Sequence, residues 1–289
     1  MTPLAVTGST GQLGGRIARR LAVAALPQRL LVRDPSRAPQ LAQATVMRAE
    51  YADLQAVRDA LTGVRTALMV SASESLDRVE QHRTFIDAAA EAGVQHLVYT
   101  SFYGAAPDAT FTLARDHWAT EQYIRASGLA FTFLRDNLYA DFLAFMVGED
   151  GVIRGPAGGG RVAAVAQDDI ADVATEVLRA PDAHVGQTYD LTGPQALTLA
   201  EIAATIAEHT GRAVSYRAET LEEAYASRAG YGAPDWQVDA WVSTYTAIAA
   251  GEMSGVSDAV ARVTGHAPRS LAELLRTSLA EHLRAQPGS

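Results

Sequence analysis

The sequence predicts an α/β fold, a doubly wound parallel sheet followed by a smaller, mostly helical C-terminal lobe. Three observations predict it. Short apolar runs alternate with helix-period segments up to about residue 136, a glycine-rich turn joins the first run to the first helical segment, and the alternation loosens afterwards. Strands alternating with helices imply parallel pairing through right-handed crossovers. The expected strands are Pro3 to Thr7, Arg29 to Arg33, Thr45 to Ala49, Thr66 to Ser71, His96 to Ser101 and Phe131 to Leu134. Amphipathic helices are expected at Gln12 to Ala24, Asp53 to Leu61, Leu76 to Ala92 and Thr112 to Ala126. Asp53 is placed to cap its helix, and Gly93 and Gly128 stand where helices end. Beyond the break Gly155 to Gly160, a helix opens at Asp168 to Val173, followed by a strand at Gln187 to Leu191, a helix at Leu199 to Thr210 and a strand at Ala213 to Arg217. The remainder to about Leu283, with Trp236 and Trp241, reads as mostly helical, and the tail Gln286 to Ser289 as disordered.

A chain of 289 residues, 48% apolar, has material for one large or two modest domains. A net charge of −9 argues against nucleic acid and acidic membrane surfaces as partners. No stretch reads as a secretory leader or as the roughly 18 apolar residues of a membrane span, so a cytoplasmic protein is expected. Nothing in the sequence decides the oligomeric state, and a homodimer is allowed. Two absences restrict the chemistry further. There is no cysteine, and all 24 basic residues are arginine, because the chain contains no lysine. Thiolate nucleophiles, disulfides, Schiff-base lysines, a Walker lysine and a Tyr-Lys proton-donating dyad are all excluded. No His, Asp and Glu spacing resembles a metal site, with His209 and His266 read as incidental, and no Gly-x-Ser-x-Gly elbow is present.

The turn Gly8-Ser9-Thr10-Gly11-Gln12-Leu13-Gly14 carries the strongest functional signal. Gly8 permits a sharp turn, Gly11 lets the backbone approach a pyrophosphate, and Gly14 lets helix and strand pack closely, as in the dinucleotide fingerprint of Rossmann folds. The first spacing is one residue longer than in G-x-G-x-x-G, so the match is to a variant. The helix N-terminus offers free N–H groups and a positive dipole end to phosphates. On this reading residues 1–136 form a dinucleotide-binding Rossmann domain that also draws sheet contributions from about 160–192, while residues 137–289 form the covering lobe. At the end of the second strand, Arg33 and then Arg37 stand where an acidic residue would bind a 2′-hydroxyl, and a guanidinium suits a 2′-phosphate. NADP is therefore favoured. NAD is the alternative if Asp34 takes the ribose.

Small and hydroxylated residues, Ser71, Ala72 and Ser73 after the fourth strand and Thr100 and Ser101 after the fifth, let a cofactor lie close. Together with Val32-Arg33-Asp34-Pro35, Gln81-His82-Arg83, Ala92 to Ser101, Leu113 to Glu121, Phe131 to Tyr139 and, faintly, Gly251 to Ser254, the glycine loop resembles the NmrA-like branch of the atypical short-chain dehydrogenases. Within it the similarity leans toward bacterial type 2 NAD(P)H:quinone oxidoreductases and triphenylmethane dye reductases. The resemblance implies that Gly8, Thr10, Gly11, Gln12, Leu13 and Arg33 bind the pyrophosphate and adenosine half. It further implies that Ser71, Ala72, Ser73 and Thr100 line the path and that Asn137, Leu138 and Tyr139 border the nicotinamide.

One departure shapes the expected mechanism. Where related extended reductases carry a Tyr and a Lys four residues apart, this chain has Leu113 and His117. Carbonyl reduction makes an alkoxide that needs a proton donor. A reduced quinone is a phenolate-like anion whose conjugate acid has a pKa of roughly 10, so solvent can complete the reaction, and a cationic triarylmethane dye needs only hydride. The expected function is hydride transfer from NAD(P)H to a quinone-like or other conjugated small aromatic molecule, with Phe102, Tyr103, Phe142 and Trp241 as candidate stacking residues. Two alternatives are an NAD(P)-binding redox sensor without turnover and a biosynthetic ketoreductase in which His117 or Tyr139 replaces the dyad.

Overall fold

The structure, a computed structural model, describes residues 3–277; the expected disordered tail and the end of the helical stretch near Leu283 lie outside the described residues. The N-terminal half runs β1 (Leu4–Thr7), α1 (Gln12–Val23), β2 (Gln28–Val32), β3 (Ala44–Arg48), α2 (Leu54–Leu61), β4 (Thr66–Met69), α3 (Arg78–Glu91), β5 (His96–Phe102), α4 (Thr112–Ala126) and β6 (Ala130–Asp136). The expected elements therefore form in the expected order. Asp53 caps α2 through Ala56 N–H at 3.0 Å, and the backbone turns left-handed at Gly93 and Gly128, just after α3 and α4.

After β6 come a 3₁₀ turn (Ala140–Met146), β7 (Val152–Gly155), β8 (Arg161–Val162), α5 (Gln167–Arg179), β9 (Thr188–Leu191) and β10 (Leu197–Thr198). Then follow α6 (Leu199–Thr210), β11 (Ser215–Ala218), α7 (Leu221–Arg228), α8 (Asp235–Ala249), which holds both Trp236 and Trp241, and α9 (Ala259–Thr264). Thr198 with Glu201, and Thr220 with Glu223, close capping boxes that start α6 and α7. The strands β7, β8 and β10 were not expected, because runs this short show no period. β8 pairs with β10, and β7 with β11, in two small sheets outside the main one.

The main sheet has the order β3-β2-β1-β4-β5-β6-β9, every pair parallel. Thus β9, from the second half of the chain, joins the sheet. A sheet covered on both faces needs strands that are apolar on both sides. Accordingly Ala5, Val6, Ala67, Leu68, Leu97 and Val98 are fully buried. One face packs against α1, α5 and α9, the other against α2, α3 and α4, and a third apolar cluster fills the lobe around Ile202, Ile248 and Leu271. Ion pairs tie α1 to α5: Arg16 bonds Asp168 at 2.6 Å, and Arg20 bonds Asp168 and Asp172, both at 2.7 Å. Among the described residues no helix is long and apolar enough to cross a membrane.

Candidate active site

Strand order reverses between β1 and β4, so their connections leave in opposite directions and open a crevice at the carboxyl ends. The glycine turn sits at that point. Gly8 has φ +65°, and a Cβ on Gly14 would stand 2.4 Å from the Gly8 carbonyl oxygen. Only a hydrogen fits there, so helix and strand pack as closely as the fingerprint requires. The N-terminus of α1 begins at Gly11 with no side-chain cap and no acidic residue in its first turn. Its N–H groups and positive dipole end are available to an anion.

A cavity of about 350 Å³ opens beside this turn, lined among others by Gly8, Thr10, Arg33, Ser71, Ala72 and Ser73. Asp34 is occupied within its own loop, where its carboxylate accepts from the Ser36 N–H at 3.0 Å and the Ser36 hydroxyl at 2.7 Å. Those bonds hold its pKa below the usual carboxylate range. Arg33 is exposed at the cavity wall and forms no ion pair among the described residues. Arg37 is exposed in the turn after it and does not line this cavity, so the structure brings one arginine to the site rather than two.

Three side chains hold the loop after β4 in place. Ser71 N–H donates to Thr100 Oγ1 at 2.8 Å, Ala72 N–H donates to His82 Nε2 at 2.9 Å, and Arg78 Nε donates to the Ala72 carbonyl at 3.0 Å. Because Nε2 of His82 accepts, Nδ1 carries the proton and faces Thr120 Oγ1 at 2.9 Å. Burial, with the nearby Arg78 cation, pushes the His82 pKa down to about 3. On the opposite wall the Tyr51 hydroxyl donates to the Val70 carbonyl at 2.6 Å and bonds the Thr7 hydroxyl, joining the ends of β1 and β4. Tyr51, Arg78 and the loop-pinning role of His82 escaped the sequence reading, because each acts on residues distant in the chain.

Several predicted site residues have other work. His117 is buried, its Nε2 accepting from Arg78 at 3.0 Å and its Nδ1–H meeting the Tyr99 hydroxyl at 2.9 Å. Burial and Arg78 hold its pKa well below normal, so it is a neutral prop for Arg78 with no ring nitrogen left for a substrate. Ser101 donates to Glu121 Oε1 at 2.6 Å, on the far side of β5 from Thr100. Adjacent strand residues face opposite ways, which the pair Thr100-Ser101 itself could have signalled. Glu121, fully buried, is forked by Arg135 through bonds of 2.8 and 2.7 Å. Asn137 donates to the Met253 carbonyl at 3.0 Å and accepts from Leu138 N–H at 2.8 Å, so it clamps the end of β6 to the Gly251 to Ser254 segment. Phe102 packs on Phe111, and Tyr103 bonds the Gly255 backbone; neither lines either cavity. Leu13 is a core residue, leaving only its backbone for a cofactor.

A second cavity, of about 690 Å³, lies between the 3₁₀ turn and the lobe helices α7 and α8. Its walls are largely apolar and aromatic: Leu138, Tyr139, Phe142, Phe145, Trp241 and Tyr245 all line it. The rings of Tyr139 and Phe142 stand 5.9 Å apart. Asp141 fixes this turn by accepting from Arg16 of α1 at 2.9 Å and from Gln167 N–H at 2.8 Å. The helix that carries the glycine turn therefore also holds the aromatic wall. Elsewhere Asp169, Asp172 and His266 come within metal-binding distance of one another, but Arg269 and Arg20 hold the two carboxylates.

This geometry has known relatives. Residues 2–238 match the model of the NmrA-like family. The chain belongs to the NmrA-like family. Among its NmrA-like relatives, the NAD(P)H azoreductase of Xenophilus azovorans is 36% identical over 95% of this chain and 97% of its own. Quinone oxidoreductase 2 of Escherichia coli is 34% identical over 93% and 96%. The solved structure of the Escherichia coli NADPH-dependent quinone oxidoreductase in complex with NADPH superimposes with a TM-score of 0.88 at 32% identity, covering 96% of this chain and 99% of that one. Triphenylmethane reductase of Citrobacter, solved with NADP(H), gives 0.85 at 31% identity over 95% and 99%. NmrA itself, a negative transcriptional regulator, is 16% identical at a TM-score of 0.77 and shares the fold alone.

Proposed function

We propose that this chain is an NADPH-dependent reductase that passes hydride to a quinone-like or other conjugated aromatic small molecule. The observation that carries the reading is the pairing of an uncapped, glycine-built phosphate cradle with an aromatic-walled cavity on the turn that α1 anchors. The cradle fits a dinucleotide on three counts: the Gly14 position admits no Cβ, the α1 N-terminus is open, and no carboxylate among the described residues pairs with Arg33. Gly8, Thr10, Gly11, Gln12 and the Leu13 backbone would hold the diphosphate, and Arg33 would fork the 2′-phosphate. The small residues Ser71, Ala72 and Ser73 leave room along the path. Bound NADPH supplies a hydride from its nicotinamide.

To the hydride step the protein contributes placement. Tyr139, Phe142 and Trp241 offer flat faces to a flat acceptor, and stacking also excludes water from the reacting carbon. The absence of lysine removes the Tyr-Lys dyad that serves isolated ketones, and both ring nitrogens of His117 are committed, which favours acceptors that stabilise charge by conjugation. We place the reaction in the cytoplasm, where reduced nicotinamide is regenerated. Loss of NADPH absorbance against a panel of quinones and cationic dyes tests the reading. Saturable turnover supports it; tight cofactor binding with no oxidation by any acceptor would replace it with the redox-sensor reading.

A further inference from the structure

The end of β6 carries a carboxyl group that no cation bonds among the described residues. Asp136 is 2% exposed, Oδ2 accepts one bond, from the Tyr139 hydroxyl at 3.1 Å, and Oδ1 has no partner among the described residues. Other buried carboxylates are treated differently. Glu121 is forked by Arg135, and Asp169 is held by Arg269. An ionised carboxylate in such a place loses its hydration and gains little in exchange, so the group retains its proton instead. Burial accordingly holds the Asp136 carboxyl well above the carboxylate range. The charged groups that act on the pair are Arg78 of α3 and Asp141 of the 3₁₀ turn, both through Tyr139. Tyr139 in turn lines the aromatic cavity.

We infer that Asp136 is a buried proton reservoir that serves the acceptor cavity through the Tyr139 hydroxyl. This rests on the reductase reading above. Once a quinone-like acceptor has gained hydride, its oxygen is an anion. The Tyr139 hydroxyl turns its O–H from Asp136 to the acceptor; that bond breaks as an O–H bond forms on the acceptor, and the Asp136 O–H bond, now donated to the Tyr139 oxygen, breaks as the phenol is restored. Asp136 is then a buried, uncompensated carboxylate, a state that drives its reprotonation from solvent when product leaves. A cationic triarylmethane dye, neutralised by hydride alone, makes no use of this proton. The pair therefore distinguishes between two classes of acceptor in one cavity.

The test is Asp136→Asn, which keeps the shape and can still accept from Tyr139 but holds no transferable proton. The kcat ratio of quinone to cationic dye is expected to fall at least about tenfold, less than the roughly 10²–10⁴ of a positioned acid, because solvent still protonates a phenolate-like product slowly. Two readouts need no cofactor. A protonated-carboxyl stretch in the infrared at pH 7 is expected to vanish in the variant. The Asn protein is also expected to melt at higher temperature than the parent at pH 7, with the gain disappearing toward pH 4, because a raised native pKa costs stability as pH rises above the unfolded value. Should Asp136→Asn fail to fold, Tyr139→Phe keeps the ring and gives the same ratio test. An unchanged ratio, an equal fall on both acceptors, or an infrared band untouched by the substitution overturns the proposal. Failure of the parent protein to turn over any acceptor overturns the reductase reading instead.

Discussion

Replacing Arg33 by Ala should separate the two nicotinamide cofactors. Arg33 stands exposed at the cavity wall, while Asp34, the residue that could take a ribose, is committed to Ser36. A hydrogen bond to a charged group contributes about 1.5–3 kcal/mol, and exposure places Arg33 near the lower end because solvent and salt screen it. About 1.5–2 kcal/mol corresponds to a loss of roughly 10- to 30-fold in kcat/KM for NADPH. NADH lacks the 2′-phosphate, so its kcat/KM should change by less than about twofold. Steady-state kinetics with both cofactors, at 0.05 and 0.5 M salt, make the measurement, and the NADPH preference of the parent should shrink at the higher salt. An equal loss for NADPH and NADH would mean that Arg33 does not read the phosphate. No loss for either would move the adenosine end away from β2 altogether.

Other substitutions probe the remaining parts. Gly14→Ala forces a Cβ to 2.4 Å from the Gly8 carbonyl oxygen, so α1 must shift; melting should report about 1–3 kcal/mol of lost stability, and calorimetry should show NADPH affinity falling with it. Trp241→Ala removes one wall of the aromatic cavity and should raise the acceptor KM several-fold while the NADPH KM stays within about twofold, since one lost aromatic contact is worth about 0.5–1.5 kcal/mol. His82 has a native pKa pushed down to about 3 against 6.5 in the unfolded chain. The unfolded chain therefore takes up a proton first, and the stability contributed by neutral His82 is complete above pH ~6.5 and lost as pH falls toward ~3. Denaturant melts should show about 2 kcal/mol less stability at pH 5 than at pH 8 from this residue, a difference that His82→Gln should remove.

Most of the parallel sheet was legible in the sequence because its strands are apolar on both faces and its helices are amphipathic. β1, α1 and the uncapped glycine turn stand where the residues indicated, and Gly14 meets the backbone contact that its role demands. The position of Arg33 at the cavity wall was legible for a similar reason: a strand end in this fold has a known address. What escaped depends on which side of an element a residue faces. Thr100 and Ser101 are neighbours with the same chemistry, yet one pins the loop after β4 and the other bonds Glu121. His117 looked like a substitute for a missing donor until its partners, Arg78 and Tyr99, were in place around it. Asp136 is one letter, the last of β6; its burial with no cation bonded to it among the described residues arises only when β5, β6 and Tyr139 close around it. The short strands of the lobe have no period, and so β7, which lines the aromatic cavity through Val152 and Arg154, had no outline beforehand.

In the proposed reaction hydride passes directly from bound NADPH to an acceptor in the aromatic cavity. The most direct test is rapid mixing of the protein, loaded with NADPH deuterated at nicotinamide C4, with a quinone under anaerobic conditions. Oxidation should saturate with quinone, slow relative to unlabelled NADPH, and slow further in Trp241→Ala at subsaturating quinone. Cofactor that stays bound and reduced with every acceptor, in a protein that still melts cooperatively, would contradict it.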